Sequence, residues 1–242
     1  MTGSLRRLYP GKRLEDTFQW SFENLDALES SFNVQEYLQQ LIRKDPSDTQ
    51  HIIELPAGVD EEVWQYEHLR QVCLELSLLI VALEPECTRQ NCPEMKADGW
   101  LYLCAAHPST QSCPAIDYIT HTLDGATILL NNSKYFPSRI SVPEPSLKHF
   151  QSIARRLYRV FAHAYCHHRE VYESFENETY LYTRFLKLAQ TYHLVPPNLI
   201  SISSQYEDST SKETEDTIYS RNLSYNSSSI LLSQKEDDDD DE

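Results

Sequence analysis

A mainly α-helical fold is predicted for this 242-residue chain by three observations. It contains only five glycines, too few for the many tight turns of a sandwich or barrel. Its apolar residues recur mostly at three- and four-residue steps, the spacing of one helix face. Its hydrophobic share is 40%, with 15 Tyr and 8 Phe, enough apolar surface for one core of ordinary size but not for two full domains. One small β-hairpin is the only strand structure expected.

Residues 1–30 read as an arm without clear periodicity; Trp20 and several Phe predict that part of it packs on the body. Residues 31–202 read as the helical domain. Its first helix covers VQEYLQQLIRK, with Val34, Tyr37, Leu38, Leu41 and Ile42 on one face and Asn33 as its cap. A longer helix starts at Asp60, with Glu61 and Glu62 favourable in the first turn. Val63, Tyr66, Leu69, Val72, Cys73, Leu76, Leu79, Ile80 and Leu83 mark its buried face until Pro85 stops it. Cys73 on that face reads as a buried structural thiol.

Residues 86–114 hold four cysteines and the run WLYLCAAH, which suits a strand. Cys104 and Cys113 read as core or loop thiols with no partner at a ligand spacing. A helix is expected over 117–130, weakened at Gly125, with KYFPSR as its exit. The central helix is SLKHFQSIARRLYRVFAHAY, where Leu147, Phe150, Ile153, Ala154, Leu157, Val160, Phe161 and Ala164 keep helical spacing closely. A last helix is expected from near Asn177 through Leu181, Phe185, Leu188 and Tyr192, ending before Pro196 and Pro197. Residues 203–242 are Ser-rich and acidic, end on EDDDDDE, and read as a disordered tail that buries too little to offset ordering entropy.

The formal net charge is −16, and 12 acids against Lys212, Arg221 and Lys235 put −9 of it in the tail, leaving −7 on the body. That field opposes the phosphate backbone, so a nucleic-acid partner is excluded and a basic protein segment is the better fit. The longest apolar run, LSLLIVAL at 76–83, is far short of the ~20 residues that span a bilayer, and no signal sequence is read at the N-terminus. A cytoplasmic chain is expected, with its six cysteines as thiols or metal ligands rather than disulfides.

Cys87 and Cys92 stand in ECTRQNCP, and His163, His167 and His168 stand together in FAHAYCHH. Two thiolates and two imidazoles make the usual closed shell of a structural Zn²⁺. Spacing alone leaves two readings open: a metal site pinning a long connection to a helix, or loop thiols beside a solvated histidine cluster. At ~100° per residue an ideal helix puts His163 and His167 on one face and His168 on the apolar side.

EEVWQYEHLRQVCLEL at 61–76, CPAIDYITHTLDGA at 113–126, NSKYFPSRIS at 132–141, RRLYRVFAHAYCHH at 155–168 and FENET at 175–179 resemble the Mob family, and within it the phocein branch, over roughly residues 8–200. The resemblance implies a Mob-type helical bundle with one structural zinc held by Cys87, Cys92, His163 and His168. It therefore implies that the helix ends or deforms between Tyr165 and His168. It further implies a non-catalytic adaptor of striatin-interacting phosphatase and kinase assemblies. Expected partners are a striatin-type scaffold and Ste20-type kinases, with protein phosphatase 2A reached indirectly. Signalling, membrane traffic and peripheral attachment to Golgi membranes through partners go with that role. The alternative from the kinase-activating branch is a direct co-activator of an NDR-type kinase, binding its basic N-terminal segment.

No catalytic residue is expected. The motifs H-E-x-x-H, G-x-x-x-x-G-K-[ST] and G-x-S-x-G do not occur, and a solvated helix end accounts for His167 and Glu170. Arg155, Arg156 and Arg159 fall within about 100° of one another on the face opposite the apolar stripe. Three guanidiniums so placed suit a phosphorylated peptide; the competing reading is a solvated face paired with carboxylates. The acidic tail, which has no counterpart in the family pattern, would weaken such binding if it covered the arginines.

Overall fold

A computed structural model of the chain describes residues 10, 11, 13 and 21–202. The expected packing of Trp20 and the expected disorder of 203–242 lie outside the described residues. Seven α-helices and one two-stranded hairpin are found there: α1 (Asn33–Lys44), α2 (Thr49–Ile53), α3 (Glu61–Leu83), β1 (Lys96–Ala97), β2 (Trp100–Leu101), α4 (Ala115–Leu130), α5 (Lys148–His167), α6 (Arg169–Thr179) and α7 (Leu181–Thr191). The fold is mainly helical, as predicted. No helix among the described residues is long and apolar enough to cross a membrane.

The hairpin is closed by Asp98 and Gly99, both at positive φ (49° and 79°), the backbone required by a two-residue turn whose twist suits paired strands. Ala97 pairs with Trp100 and Lys96 with Leu101. The Asp-Gly pair was the local signal for this turn.

α3 occupies the centre. Its first two turns are buried all round, from Val63 to Leu69, and its second half buries one stripe through Val72, Cys73, Leu76, Leu79 and Leu83. It packs on α1, α4, α5, α6 and α7. Asp60 precedes it as expected but makes no side-chain cap bond. Burial pushes the Cys73 thiol up to about 12, in keeping with an inert core residue. A second cluster joins Leu38 and Leu41 of α1 to Ile52 and Trp64. The indole N–H of Trp64 donates to the Ile53 carbonyl at 3.1 Å. α2 was not foreseen; it is a single short turn of helix capped by Asp48, whose carboxylate accepts from the His51 N–H.

Among the described residues before α1, Leu28 is buried, the Phe22 ring meets Tyr37 edge-on at 5.8 Å, and the Glu23 N–H donates to Gln40. Asn33 is the first residue of α1 rather than its cap, and its side chain accepts from the Val34 N–H. The exit after α4 is held by Arg139, whose guanidinium forks onto the buried Glu67 carboxylate of α3 and also reaches Gln35 of α1. This bidentate pair accounts for the arginine of KYFPSR.

The last helix expected from near Asn177 begins only at Leu181, as α7; residues up to Thr179 belong to a separate helix, α6, and the two are broken at Tyr180 in the left-handed region (φ 51°). The cause is Glu176. Its buried carboxylate accepts from the backbone N–H groups of Tyr182 and Thr183 at 2.7 and 2.8 Å and from the Thr183 hydroxyl. These are orphan donors of α7's first turn, so the FENET stretch ends one helix and caps the next. Burial pushes the Glu176 carboxyl up, against these hydrogen bonds, which lower it.

Candidate metal centre

The site grows from the end of α3. Pro85 lacks the N–H a helix needs, and the chain instead closes two turns: the Cys87 N–H donates to the Leu83 carbonyl and the Cys92 N–H to the Thr88 carbonyl, each at 2.8 Å. Asn91 braces the loop by donating its side-chain amide to the Glu86 carbonyl. Four intervening residues are thus folded into a turn that returns the second thiol beside the first.

α5 supplies the imidazoles. His163 lies on its buried face, and its Nδ1 meets the Lys96 carbonyl of β1 at 2.7 Å. That contact makes Nδ1 the protonated nitrogen and leaves Nε2 a lone pair, aimed at the Cys87 sulfur 3.4 Å away. α5 stops at His167. His168 has φ −137° and ψ 53°, outside the helix, while its N–H still bonds the Ala164 carbonyl. This turn carries the second imidazole back under the helix end. There its Nε2 lies 3.4 Å from the Cys92 sulfur and its Nδ1 3.7 Å from the Glu86 carboxylate.

The ligand atoms of Cys87, Cys92, His163 and His168 all lie within 4.8 Å of one another and can hold a metal ion. Bonds of ~2.3 Å to sulfur and ~2.0–2.1 Å to nitrogen set the edges of a tetrahedral zinc shell at about 3.3–3.8 Å; both sulfur–nitrogen contacts fall in that range. Burial and then the adjacent Cys92 thiol push Cys87 up to about 12. A dication placed among the four atoms reverses that balance by favouring thiolates. Burial is also the largest cause lowering both imidazoles, His163 to about 4, which keeps them neutral as ligands. The thiolate and imidazole donors therefore fit Zn²⁺, and four protein ligands leave no open position for a reacting water.

His167 is not in this group. It is exposed, with its ring centred 4.8 Å from that of His163. Sequence reasoning missed Glu86 and the Lys96 carbonyl, the outer partners that orient the two rings. Only Glu86 had a signal, its place beside Cys87. Nor are Cys104 and Cys113 without partners, as their spacing suggested: His121 and His107 lie against them. Arg155 and Arg156 are exposed on α5. Arg159 is half-buried, stacked on the Tyr102 ring at 4.7 Å and donating to the Tyr118 hydroxyl at 2.9 Å.

Comparison with known proteins agrees with this architecture. The model of the Mob1/phocein family matches residues 40–203. The chain is 48% identical to MOB kinase activator-like 4 of Drosophila melanogaster over 87% of this chain and 96% of that protein. It is 46% identical to MOB-like protein phocein of Caenorhabditis elegans, covering 79% and 86%. With the maintenance of ploidy protein mob1 of Schizosaccharomyces pombe it shares 33% identity over 55% of this chain and 66% of that protein. Helical architecture, site geometry and these likenesses converge: the chain belongs to the Mob1/phocein family.

Proposed function

We propose that this chain is a non-catalytic adaptor whose one zinc at Cys87, Cys92, His163 and His168 is structural, tying the loop after α3 to the end of α5. The closed ligand set, buried at Cys87, His163 and His168 and half-buried at Cys92, carries this reading, because a catalytic zinc keeps a position for water or substrate. The near-half identity to a phocein-named relative over most of both chains supports a place in striatin-interacting phosphatase and kinase assemblies. There the chain would contact a striatin-type scaffold and Ste20-type kinases and meet protein phosphatase 2A indirectly. Attachment to Golgi membranes and a role in traffic would follow from those partners. Leu74, Leu78 and Val81, at i, i+4 and i+7 on α3, are large, apolar and exposed, the kind of stripe a docking protein presents. The test is a pull-down of purified full-length chain with a striatin-type scaffold. Stoichiometric recovery is expected, and failure to recover it at micromolar concentrations would sink the assignment.

A second reading is favoured by the name of the Drosophila relative, a kinase activator-like protein, and by the −7 carried by residues 1–202. Here the acidic body clamps the basic N-terminal segment of an NDR-type kinase and activates it directly. Addition of the chain to such a kinase would then raise its turnover; no gain removes this reading.

Arg155 and Arg156 belong to the proposal as an exposed phosphate-binding pair, with Arg159 positioned beside them by Tyr102 and Tyr118. Replacing both exposed arginines by alanine should weaken binding of a phosphothreonine peptide roughly tenfold or more, the scale of lost hydrogen bonds to a charged group. Unchanged anisotropy titrations would return these arginines to the role of a solvated face.

A further inference from the structure

Between α3 and α4 the chain runs through residues 84–114 with only two strands of two residues each. A connection of that length with so little regular structure needs other anchors to hold a fixed course. One is the group at Cys87 and Cys92. The far half of the connection contains Cys104, His107 and Cys113, and α4 contributes His121.

These four residues form a second cluster of metal-ligand types. Cys104 and Cys113 are buried, and His107 and His121 half-buried. Their ligand atoms also lie within 4.8 Å of one another. The Cys104 sulfur is 3.5 Å from Nδ1 of His121, and Nε2 of His107 is 3.0 Å from the Cys113 sulfur. The two imidazole rings stand at 85° with centroids 5.0 Å apart, so they approach one point from different directions. The first distance lies on the ~3.3–3.8 Å edge of a tetrahedral shell, and the second needs to open by only a few tenths of an ångström.

The backbone builds this convergence. Cys104 and Gln111 exchange both ladder hydrogen bonds, Cys104 N–H to Gln111 carbonyl at 2.7 Å and the reverse at 3.2 Å. That bridge closes the loop carrying His107 and brings Cys113 back to Cys104. Pro114 then starts α4, placing His121 on its second turn over the loop. The Ala115 N–H donates to the Cys92 carbonyl at 2.9 Å, so the loop's two halves meet at the start of one helix.

We propose that Cys104, His107, Cys113 and His121 bind a second Zn²⁺, structural like the first and independent of it. Two thiolates and two imidazoles suit this borderline-soft ion and close its four positions. Binding releases one proton from each thiol, and two thiolates with two neutral imidazoles then make an uncharged centre around the dication. Such a centre can be buried without a counter-ion. The consequence is a connection stapled at both halves, the first metal joining it to α5 and the second joining it to α4. Thiol–imidazole hydrogen bonding without metal is the competing account of the same contacts, and a metal count separates the two.

The experiment is inductively coupled plasma mass spectrometry of the full-length chain, purified after zinc supplementation and exhaustive dialysis, for the wild type, Cys113→Ser, His107→Ala and Cys87→Ser. Two zinc per chain are expected in the wild type and about one in each variant. His107→Ala tests the site from a half-buried loop position, where loss of folding is not at issue as it is for the buried cysteine. A Co²⁺-loaded wild type should show two equivalents of tetrahedral thiolate-ligand absorption, and His107→Ala one. A wild-type count of one, unaltered by Cys113→Ser and His107→Ala, overturns the inference and leaves the zinc of the proposed adaptor standing. A loss confined to Cys113→Ser and His107→Ala, with Cys87→Ser unaltered, sustains the second site and removes the first.

Discussion

Replacing Cys87 by serine is expected to lower the melting midpoint of the full-length chain by roughly 8–16 °C: zinc present at a thousandfold its Kd contributes about 4 kcal/mol, and each kcal/mol moves Tm by ~2–4 °C in a chain of this size. A metal bound by the four candidate ligands would act on folding, because they come together only in the native state, where Cys87 and His163 lie in the core. His163→Ala and His168→Ala should fall similarly. His167→Ala should stay within about 2 °C, as an exposed substitution outside the ligand set. Chelation supplies the internal control. After metal removal, wild type and Cys87→Ser should melt within a few degrees of each other. A gap that survives chelation would assign the loss to packing around Cys87, and a fall confined to the 167 change would reverse the choice of histidine.

Arg184→Ala is the second large expected loss, on the order of 3–5 kcal/mol. Arg184 sits on α7 with 1% of its surface exposed, and its guanidinium reaches Glu75 of α3 at 2.5 Å. Glu75 also accepts from the Gln71 amide at 2.7 Å. Removing the guanidinium leaves a carboxylate largely out of water with only a neutral donor, and that unpaired charge, rather than the net worth of the pair, sets the cost. The double variant Arg184→Met with Glu75→Leu should therefore recover much of the stability lost by Arg184→Ala, since apolar side chains in place of a buried ion pair are often near neutral. Urea denaturation of Arg184→Met, Glu75→Leu and the double variant gives the coupling. Additive losses would mean that α3 and α7 are held by packing and that the ion pair contributes little.

The sequence by itself determined the long helices, because their signals are local. The apolar stripes of α3 and α5, the acidic first turn of α3 and the stop at Pro85 each depend on residues a few positions apart, and these elements form where the periodicity put them. The Cys-x₄-Cys pair and the histidine cluster were equally visible as ligand types.

What the local pattern could not select was the second histidine. Helical period favours His167, which shares a face with His163. His168 is the one turned inward, because the backbone leaves the helix there and both Cys92 and Glu86 lie within reach of its ring. The family likeness, and not periodicity, pointed to it. The break at Tyr180 has the same character, since a carboxylate six and seven residues upstream takes the N–H groups that a continuous helix would have used. Cys104 and Cys113 likewise looked unpartnered, because their histidines come from a loop closed by the Gln111 bridge and from the next helix. In each case tertiary structure decided, for one physical reason. Helical period and turn chemistry are set between near neighbours, whereas a ligand set, a buried cap or an ion pair is chosen by groups that only the packed chain brings within a few ångströms.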